Sequence, residues 1–321
     1  MPRILVITTG GAIATRRGPT TAGALPSLKN DELLAMLPRS GIELLFEEFA
    51  NLPSSHLTPL NGLELSRRVA GAVTRSDIDG VVITHGSDTL EETAYLLDLT
   101  LRVPKPVILT GAMRAATSIG YDGLANLAAA VRVAGAPQAR ELGVVVVFDD
   151  TIHAAAEVQM VHAQARGAFE SPGTGPLGRV EGERVWLARR PAQRQHIPCE
   201  RIEEMVDLIR LTQGADVRLL RHSIEDGVAG IVIEAFGSGR LPPWWLPHIT
   251  EAIQRRTAVV IASRCGAGGL GDEYGYVGAF HDLRRLGVLF AHHLSGPKAR
   301  IKLMVALGSA RGASELRAFF T

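Results

Sequence analysis

Cysteine is nearly absent: Cys199 and Cys265 are the only two in 321 residues, and they stand far apart. A disulfide framework and a zinc ribbon are thereby excluded, and no thiol chemistry is expected. A surplus of charge is missing as well, since 34 Lys and Arg face 33 Asp and Glu for a formal charge of +1. A protein that coats nucleic acid needs a basic surplus, so no nucleic-acid partner is expected. No apolar run approaches the roughly 18 residues that would read as a membrane span. The run after Arg3 halts at Thr8 and the Gly10-Gly11 pair, too soon for a signal peptide, so the expectation is a cytoplasmic protein without membrane contact. Neither GxxxxGK[ST] nor a clean GxGxxG follows that run, which argues against nucleotide binding. HExxH is lacking, and the adjoining His292 and His293 cannot share a face of a regular element, so no metal site is expected.

What the chain does have is the composition of a packed globular protein, 46% hydrophobic and 21% charged. Continuous apolar runs recur at Ile4 to Ile7, Gly80 to Thr84, Pro106 to Thr110, Gly143 to Phe148, Gly230 to Glu234 and Ala258 to Ser263. Unbroken apolarity in short β-branched runs marks strands covered on both faces. Stretches with helical spacing lie between them, at Glu92 to Leu101, Gly123 to Ala134 and Trp244 to Arg255. That alternation predicts the α/β class, with doubly wound, mainly parallel sheets. The charged, proline-punctuated segment 191–213 reads as a linker between a larger N-terminal α/β domain, 1–190, and a smaller C-terminal α/β domain, 214–321. Trp244 and Trp245, after Pro242 and Pro243, read as packing at a helix start, with a subunit interface as the alternative.

Ligands of doubly wound sheets collect outside the carboxyl ends of the strands. Three such ends are rich in hydroxyls: Thr8-Thr9-Gly10-Gly11, Thr84-His85-Gly86-Ser87-Asp88-Thr89 and Thr110-Gly111-Ala112-Met113-Arg114. Glycines after Thr9 let the backbone approach a ligand and turn amide hydrogens toward a developing oxyanion, which makes Thr9 a candidate nucleophile. The alternative is that Thr8 and Thr9 cap the next segment. In HGSDT, Gly86 permits a tight bend, and Asp88 sets a carboxylate beside the Ser87 hydroxyl. Alternatively, Ser87 or Asp88 caps a helix opening at Leu90.

Five segments carry a resemblance: ILVITTGGAIAT (4–15), VVITHGSDTLEETAYLLDLTL (81–101), LTGAMRAATSIGYDGLANL (109–127), GTGPLGRV (173–180) and SGPKARIKLMVAL (295–307). Together they resemble the bacterial-type L-asparaginase family along nearly the whole chain. The resemblance implies a large α/β domain joined to a smaller flavodoxin-like one, assembled as a homodimer or homotetramer. It implies hydrolysis of the side-chain amide of asparagine, often of glutamine, through a threonine acyl-enzyme and with no cofactor. On this chain the nucleophile falls on Thr9, and the second-motif hydroxyl and carboxylate fall on Ser87 and Asp88. The substrate-binding serine falls on Ser54, with Ser55 beside it and Gly86 in the same group. The alanine whose carbonyl lines the pocket falls on Ala112.

Departures from the family pattern sharpen the picture. Ala12 stands where a second threonine is usual, Ser87 replaces a threonine, Ala115 replaces a proline, and Leu124 follows Asp122-Gly123. The family's loop tyrosine has no counterpart near Thr20 and Thr21. Met160 falls where the family carries a lysine that helps move protons, and methionine carries none. Losing a positioned acid or base costs about 10²- to 10⁴-fold in rate, so weak asparaginase activity is expected. Arg240 occupies a position where asparagine is usual, read either as a selector for a larger or more anionic substrate or as a surface arginine. Two alternatives to the asparaginase reading remain: action on another carboxamide, lactam or imide, and a catalytically silent amino-acid-binding protein.

Overall fold

The computed structural model describes residues 1–17, 24–26, 32 and 41–321 and divides into two compact units, Met1–His196 and Ile197–Thr321. Thr20 and Thr21 lie outside the described residues.

In the first unit the run from Ile4 forms strand β1 (Arg3–Gly10), buried on both faces as its β-branched residues require. After two short strands, β2 (Thr15–Arg17) and β3 (Ala24–Pro26), come β4 (Glu43–Leu52), helix α1 (Pro59–Thr74), β5 (Gly80–Thr84), helix α2 (Leu90–Thr100), β6 (Val107–Thr110), helix α3 (Gly123–Gly135) and β7 (Val144–Phe148). Strands β8 (Thr151–Ala154), β9 (Gln159–Met160), β10 (Phe169–Glu170), β11 (Gly178–Glu181) and β12 (Arg184–Leu187) complete the unit. Eight of these build one sheet in the order β12-β11-β8-β7-β6-β5-β1-β4. Pairing is parallel from β4 to β7 and antiparallel from β7 to β12. Ile4, Val6, Val82, Ile108, Val145 and Val147 of the sheet pack with Leu127, Ala130 and Val133 of α3. Removing that apolar surface from water is the main stabilising term.

The ends of the elements follow local chemistry. Helix α1 opens on a reciprocal cap, in which the Thr58 hydroxyl accepts from the Asn61 amide at 3.3 Å and the Asn61 side chain accepts from the Thr58 amide at 2.9 Å. Pro59 at the first helical position needs no amide hydrogen there.

The second unit is a four-stranded parallel sheet in sequential order: β13 (Val206–Arg210), β14 (Gly230–Ala235), β15 (Ala258–Ser263) and β16 (Leu289–Phe290). Its helices are α4 (Arg218–Glu225), α5 (Leu246–Gln254), α6 (Phe280–Leu286), α7 (Gly296–Ser309) and α8 (Ala313–Ala318). Trp245 is buried at the start of α5, and the indole N–H groups of Trp244 and Trp245 both donate to the Ala215 carbonyl, at 2.9 and 3.1 Å. No helix among the described residues is long and apolar enough to cross a membrane.

Three features depart from the sequence reading. Strand β4 escaped notice because Glu43, Glu47 and Glu48 interrupt its apolar pattern; it is a half-buried edge strand, which tolerates charge on its open side. The stretch 191–213 holds β13, whose short VDLIR sequence sits among charges, and the two units meet at His196 and Ile197 within it. Residues Pro243–Trp245 form a 3₁₀ turn, and the α-helix expected from Trp244 begins at Leu246.

What positions the site is the order of the parallel strands. The chain leaves β1 toward β4 and leaves β5 toward β6, so the winding direction reverses between β1 and β5. A crevice opens where such neighbours send their connections opposite ways. Thr58→Ala is expected to lower stability by about 1 kcal/mol, read as a lower urea midpoint with an unchanged slope.

Candidate active site

Thr9, near the end of β1, is completely buried, and its hydroxyl donates to the Thr84 carbonyl at the end of β5 over 2.9 Å. This bond spans the two strands between which the winding reverses. Gly10 and Gly11 then turn the chain at φ values of +103° and +80°, a region that favours glycine. Space demands glycine there too: a Cβ on Gly10 would stand 2.4 Å from the Leu52 nitrogen, and one on Gly11 would stand 2.5 Å from the Gly86 Cα. The Gly11 amide donates to the Leu52 carbonyl at 3.1 Å. It is therefore not the oxyanion donor that the glycine turn suggested. Capping is not the threonines' role either, because the 3₁₀ turn Ala12–Ala14 is preceded by Gly11 without any side-chain cap.

After β5 the chain passes through His85, whose ring is buried. Its Nδ1 lies 2.8 Å from the Gly86 carbonyl oxygen, which can only accept, so Nδ1 carries the hydrogen and Nε2 accepts from the Thr93 hydroxyl at 3.1 Å. Burial pushes the imidazole down to about 4, against smaller opposing effects of the Gly86 carbonyl and the Asp88 charge. His85 is thus a neutral spacer that fixes the Gly86–Ser87 peptide. Because that carbonyl is held toward His85, the Ser87 amide hydrogen on the same trans peptide plane points the opposite way.

Ser87–Thr89 forms a 3₁₀ turn ahead of α2, with Ser87 half-buried and Asp88 exposed. Neither residue caps the helix. Its N-cap is Thr89, whose hydroxyl instead donates to the Ser54 carbonyl at 3.0 Å. Ser54 is buried while Ser55 is exposed. The Ser54 hydroxyl has no hydrogen-bond partner among the described residues, and a Cβ on Gly86 would lie 2.6 Å from it. Buried hydroxyls are nearly always paired, so Ser54 is poised for a partner that the described residues do not supply.

Ala112 follows β6 and is fully buried. The preceding Gly111 packs on His85, where a Cβ would meet the carbonyl oxygen at 2.3 Å. Two residues to which the sequence reading gave no role hold this segment. Asp122, itself buried, accepts the amides of Met113 and Arg114, each at 3.0 Å. Asn126 donates to the Gly111 carbonyl at 3.0 Å and to Asp122 at 3.1 Å. An aspartate and an amide at i, i+4 across a helix start were the available signal.

Close approaches thus set Gly11 against Gly86, Gly86 against Ser54 and Gly111 against His85, with Thr9 bonded to Thr84. Met160 is half-buried in β9 and opposite Phe169 of β10. Arg240 belongs to the second unit.

Comparison with known proteins agrees with this architecture. Residues 3–193 match the family model described as Asparaginase, N-terminal, and residues 205–320 match the Glutaminase/Asparaginase C-terminal domain. The chain is 35% identical over 310 residues to an L-asparaginase of Bacillus licheniformis, covering 96% of each protein. It is 31% identical over 345 residues to a glutaminase-asparaginase of Pseudomonas fluorescens biotype A, covering 100% of this chain and 90% of that one. The crystal structure of a probable cytoplasmic L-asparaginase from Campylobacter jejuni superposes with a TM-score of 0.88 at 30% identity, over 100% of this chain and 99% of that one.

Gly86→Ala is expected to drive Ser54 out of place and to cut activity by about 10²-fold or more, with circular dichroism unchanged. His85 adds a pH dependence to stability. Its folded value near 4 lies below the roughly 6.5 of an unfolded histidine, so the unfolded chain binds the extra proton. The histidine's contribution is complete above pH ~6.5 and lost as pH falls toward ~4. The urea midpoint should accordingly fall more between pH 7 and pH 5 in the native protein than in His85→Gln.

Proposed function

The chain belongs to the asparaginase family, and on that premise we propose that it hydrolyses the side-chain amide of L-asparagine, with Thr9 as the nucleophile. The observation that carries this reading is the Thr9 hydroxyl held by the Thr84 carbonyl between the ends of β1 and β5, where the winding reverses. A carbonyl can hold that hydroxyl but cannot take its proton. The nucleophile is activated when Thr9 rotates from Thr84 toward a base, and Asp88 is the carboxylate of the adjoining loop. His85 is excluded from this role, because burial makes its ring a poor proton acceptor and both nitrogens are already engaged.

In the proposed reaction the Thr9 oxygen bonds to the carboxamide carbon as its proton passes to the Ser87–Asp88 pair and on to the departing nitrogen. The C–N bond breaks, ammonia leaves, and an aspartyl ester of Thr9 remains. Water then adds to the ester, releasing aspartate and restoring the hydroxyl. The Ser87 amide, turned away from His85, supplies the oxyanion donor that Gly11 cannot. The Ser54 hydroxyl, unpaired among the described residues, binds the substrate with Ser55 and the close approach at Gly86, and the Ala112 carbonyl orients its amide nitrogen.

Met160 in place of a lysine favours slow turnover, or a carboxamide other than asparagine with a better leaving group. The protein is read as a cytoplasmic homodimer or homotetramer. The family resemblance supports the assembly, and the Campylobacter jejuni relative, described as cytoplasmic, supports the location.

Thr9→Ala is expected to abolish ammonia release from asparagine, and Met160→Lys to raise kcat by about tenfold or more with little change in KM. A coupled ammonia assay checks both. Equal activity in Thr9→Ala would remove the reading, and an inert Met160→Lys would remove the role assigned to that position.

A further inference from the structure

Strand β5 lies between β1 and β6, so the sheet itself does not join the segment after β1 to the segment after β6. The two neighbouring pairs are tied directly. The Thr9 hydroxyl links β1 to β5, and the His85 amide donates to the Thr110 carbonyl of β6 at 2.8 Å. Across the middle strand the tie is a phenol: the Tyr121 hydroxyl donates to the Ile13 carbonyl at 2.8 Å. Two residues further along, the Thr15 carbonyl accepts the Ala116 amide at 2.9 Å. The loop after β6 thus grips the chain on the 3₁₀ turn Ala12–Ala14 and just past it.

That grip reaches Thr9 through one carbonyl. The Gly11 carbonyl accepts from the Ala14 amide at 3.1 Å and from the Thr15 hydroxyl at 2.7 Å, so fixing Ile13 to Thr15 also fixes Gly11. Glycine is the least constrained residue, and Thr9 is followed by two of them, so its turn must be held from elsewhere. Tyr121 is itself fixed. Its half-buried ring lies across the start of α3, where a Cβ on Gly123 would stand 2.4 Å from the hydroxyl oxygen. Its amide donates to the Ser118 carbonyl at 3.1 Å, and the adjoining Asp122 holds the amides of Met113 and Arg114. Burial first, and the Asp122 charge second, push the phenol well above its usual range, so the hydroxyl keeps its proton and remains a donor.

The geometry points to Tyr121 as a positioning residue for the hydrolysis: its hydrogen bond to Ile13 holds the Gly10-Gly11 turn, and with it the direction in which Thr9 is presented. Tyr121 acts through Ile13 and Gly11 and takes no part in the bond changes at the substrate. Loss of its hydroxyl loosens the turn without emptying the site, because the Ser54, Gly86 and Ala112 segments are held by other contacts. Binding is therefore spared while the reacting step suffers. The effect on rate rests on the reading of Thr9 as the nucleophile, whereas the effect on the turn does not.

Tyr121→Phe removes one oxygen and keeps the ring. Ammonia release from asparagine should show kcat lower by about tenfold or more, with KM within about twofold of the parent. Hydrogen-exchange mass spectrometry without substrate should show the amides of 11–17 exchanging about tenfold faster or more, with those of Val81 to Ile83 unchanged. Thr15→Val frees the Gly11 carbonyl from within the turn and should produce the same pair of changes. Unchanged exchange at 11–17 in a folded Tyr121→Phe protein overturns the inference, whatever the activity. So does faster exchange with kcat unaltered, or a rise in KM that accounts for the whole loss. Should Tyr121→Phe fail to fold, unchanged exchange or unchanged kcat in Thr15→Val overturns it instead. A parent protein that releases no ammonia removes the reading of Thr9, and the exchange comparison then decides by itself whether Tyr121 holds the turn.

Discussion

The hydrogen bond from the Thr9 hydroxyl to the Thr84 carbonyl ties together the two strands at which the sheet reverses its winding. The surrounding arrangement depends on how closely those strand ends and their loops approach. Gly11 lies against Gly86, Gly86 against Ser54, and Gly111 against His85, each so closely that a Cβ would overlap its neighbour. Catalysis by positioning is sensitive to ångström-scale errors. A site built from mutually touching backbones, with glycine at each seam, keeps such errors small.

Electrostatics around that seam are arranged by burial as much as by charge. His85 sits in the motif as if it were a base, yet burial makes it a poor proton acceptor, and its two ring nitrogens hold the Gly86 carbonyl and the Thr93 hydroxyl. Its effect is geometric: it turns one peptide so that the Ser87 amide faces away from it. Asp122 and Asn126 do comparable work for the loop after β6. In the proposed reaction the proton chemistry falls to the exposed Asp88 and the half-buried Ser87.

Much of this was legible in the sequence. Buried parallel strands announce themselves because apolarity on both faces leaves unbroken β-branched runs, as in Val81 to Ile83 and Val144 to Val147. Hydroxyls just beyond those runs marked Thr9 and Ser87, with the Asp88 carboxylate beside them, as candidates. Edge and antiparallel strands were hidden, because one open face admits charge: β4 carries three glutamates, and β12 alternates exposed and half-buried residues. The engagement of Gly11 with Leu52 was hidden for another reason. It is a contact between segments 41 residues apart (52 − 11), and no local pattern encodes it. Asp122 and Asn126 escaped because a helix start looks the same whether its side chains cap the helix or reach back to a neighbouring loop.

The central claim is that Thr9 becomes esterified during turnover. Rapid acid quenching of the protein with L-asparagine, followed by peptide mapping in a mass spectrometer, tests it directly. The expected result is a transient aspartyl adduct on the peptide containing Thr9, located on that residue by fragmentation and absent from Thr9→Ala. Ammonia release accompanied by an adduct on a different side chain would contradict it.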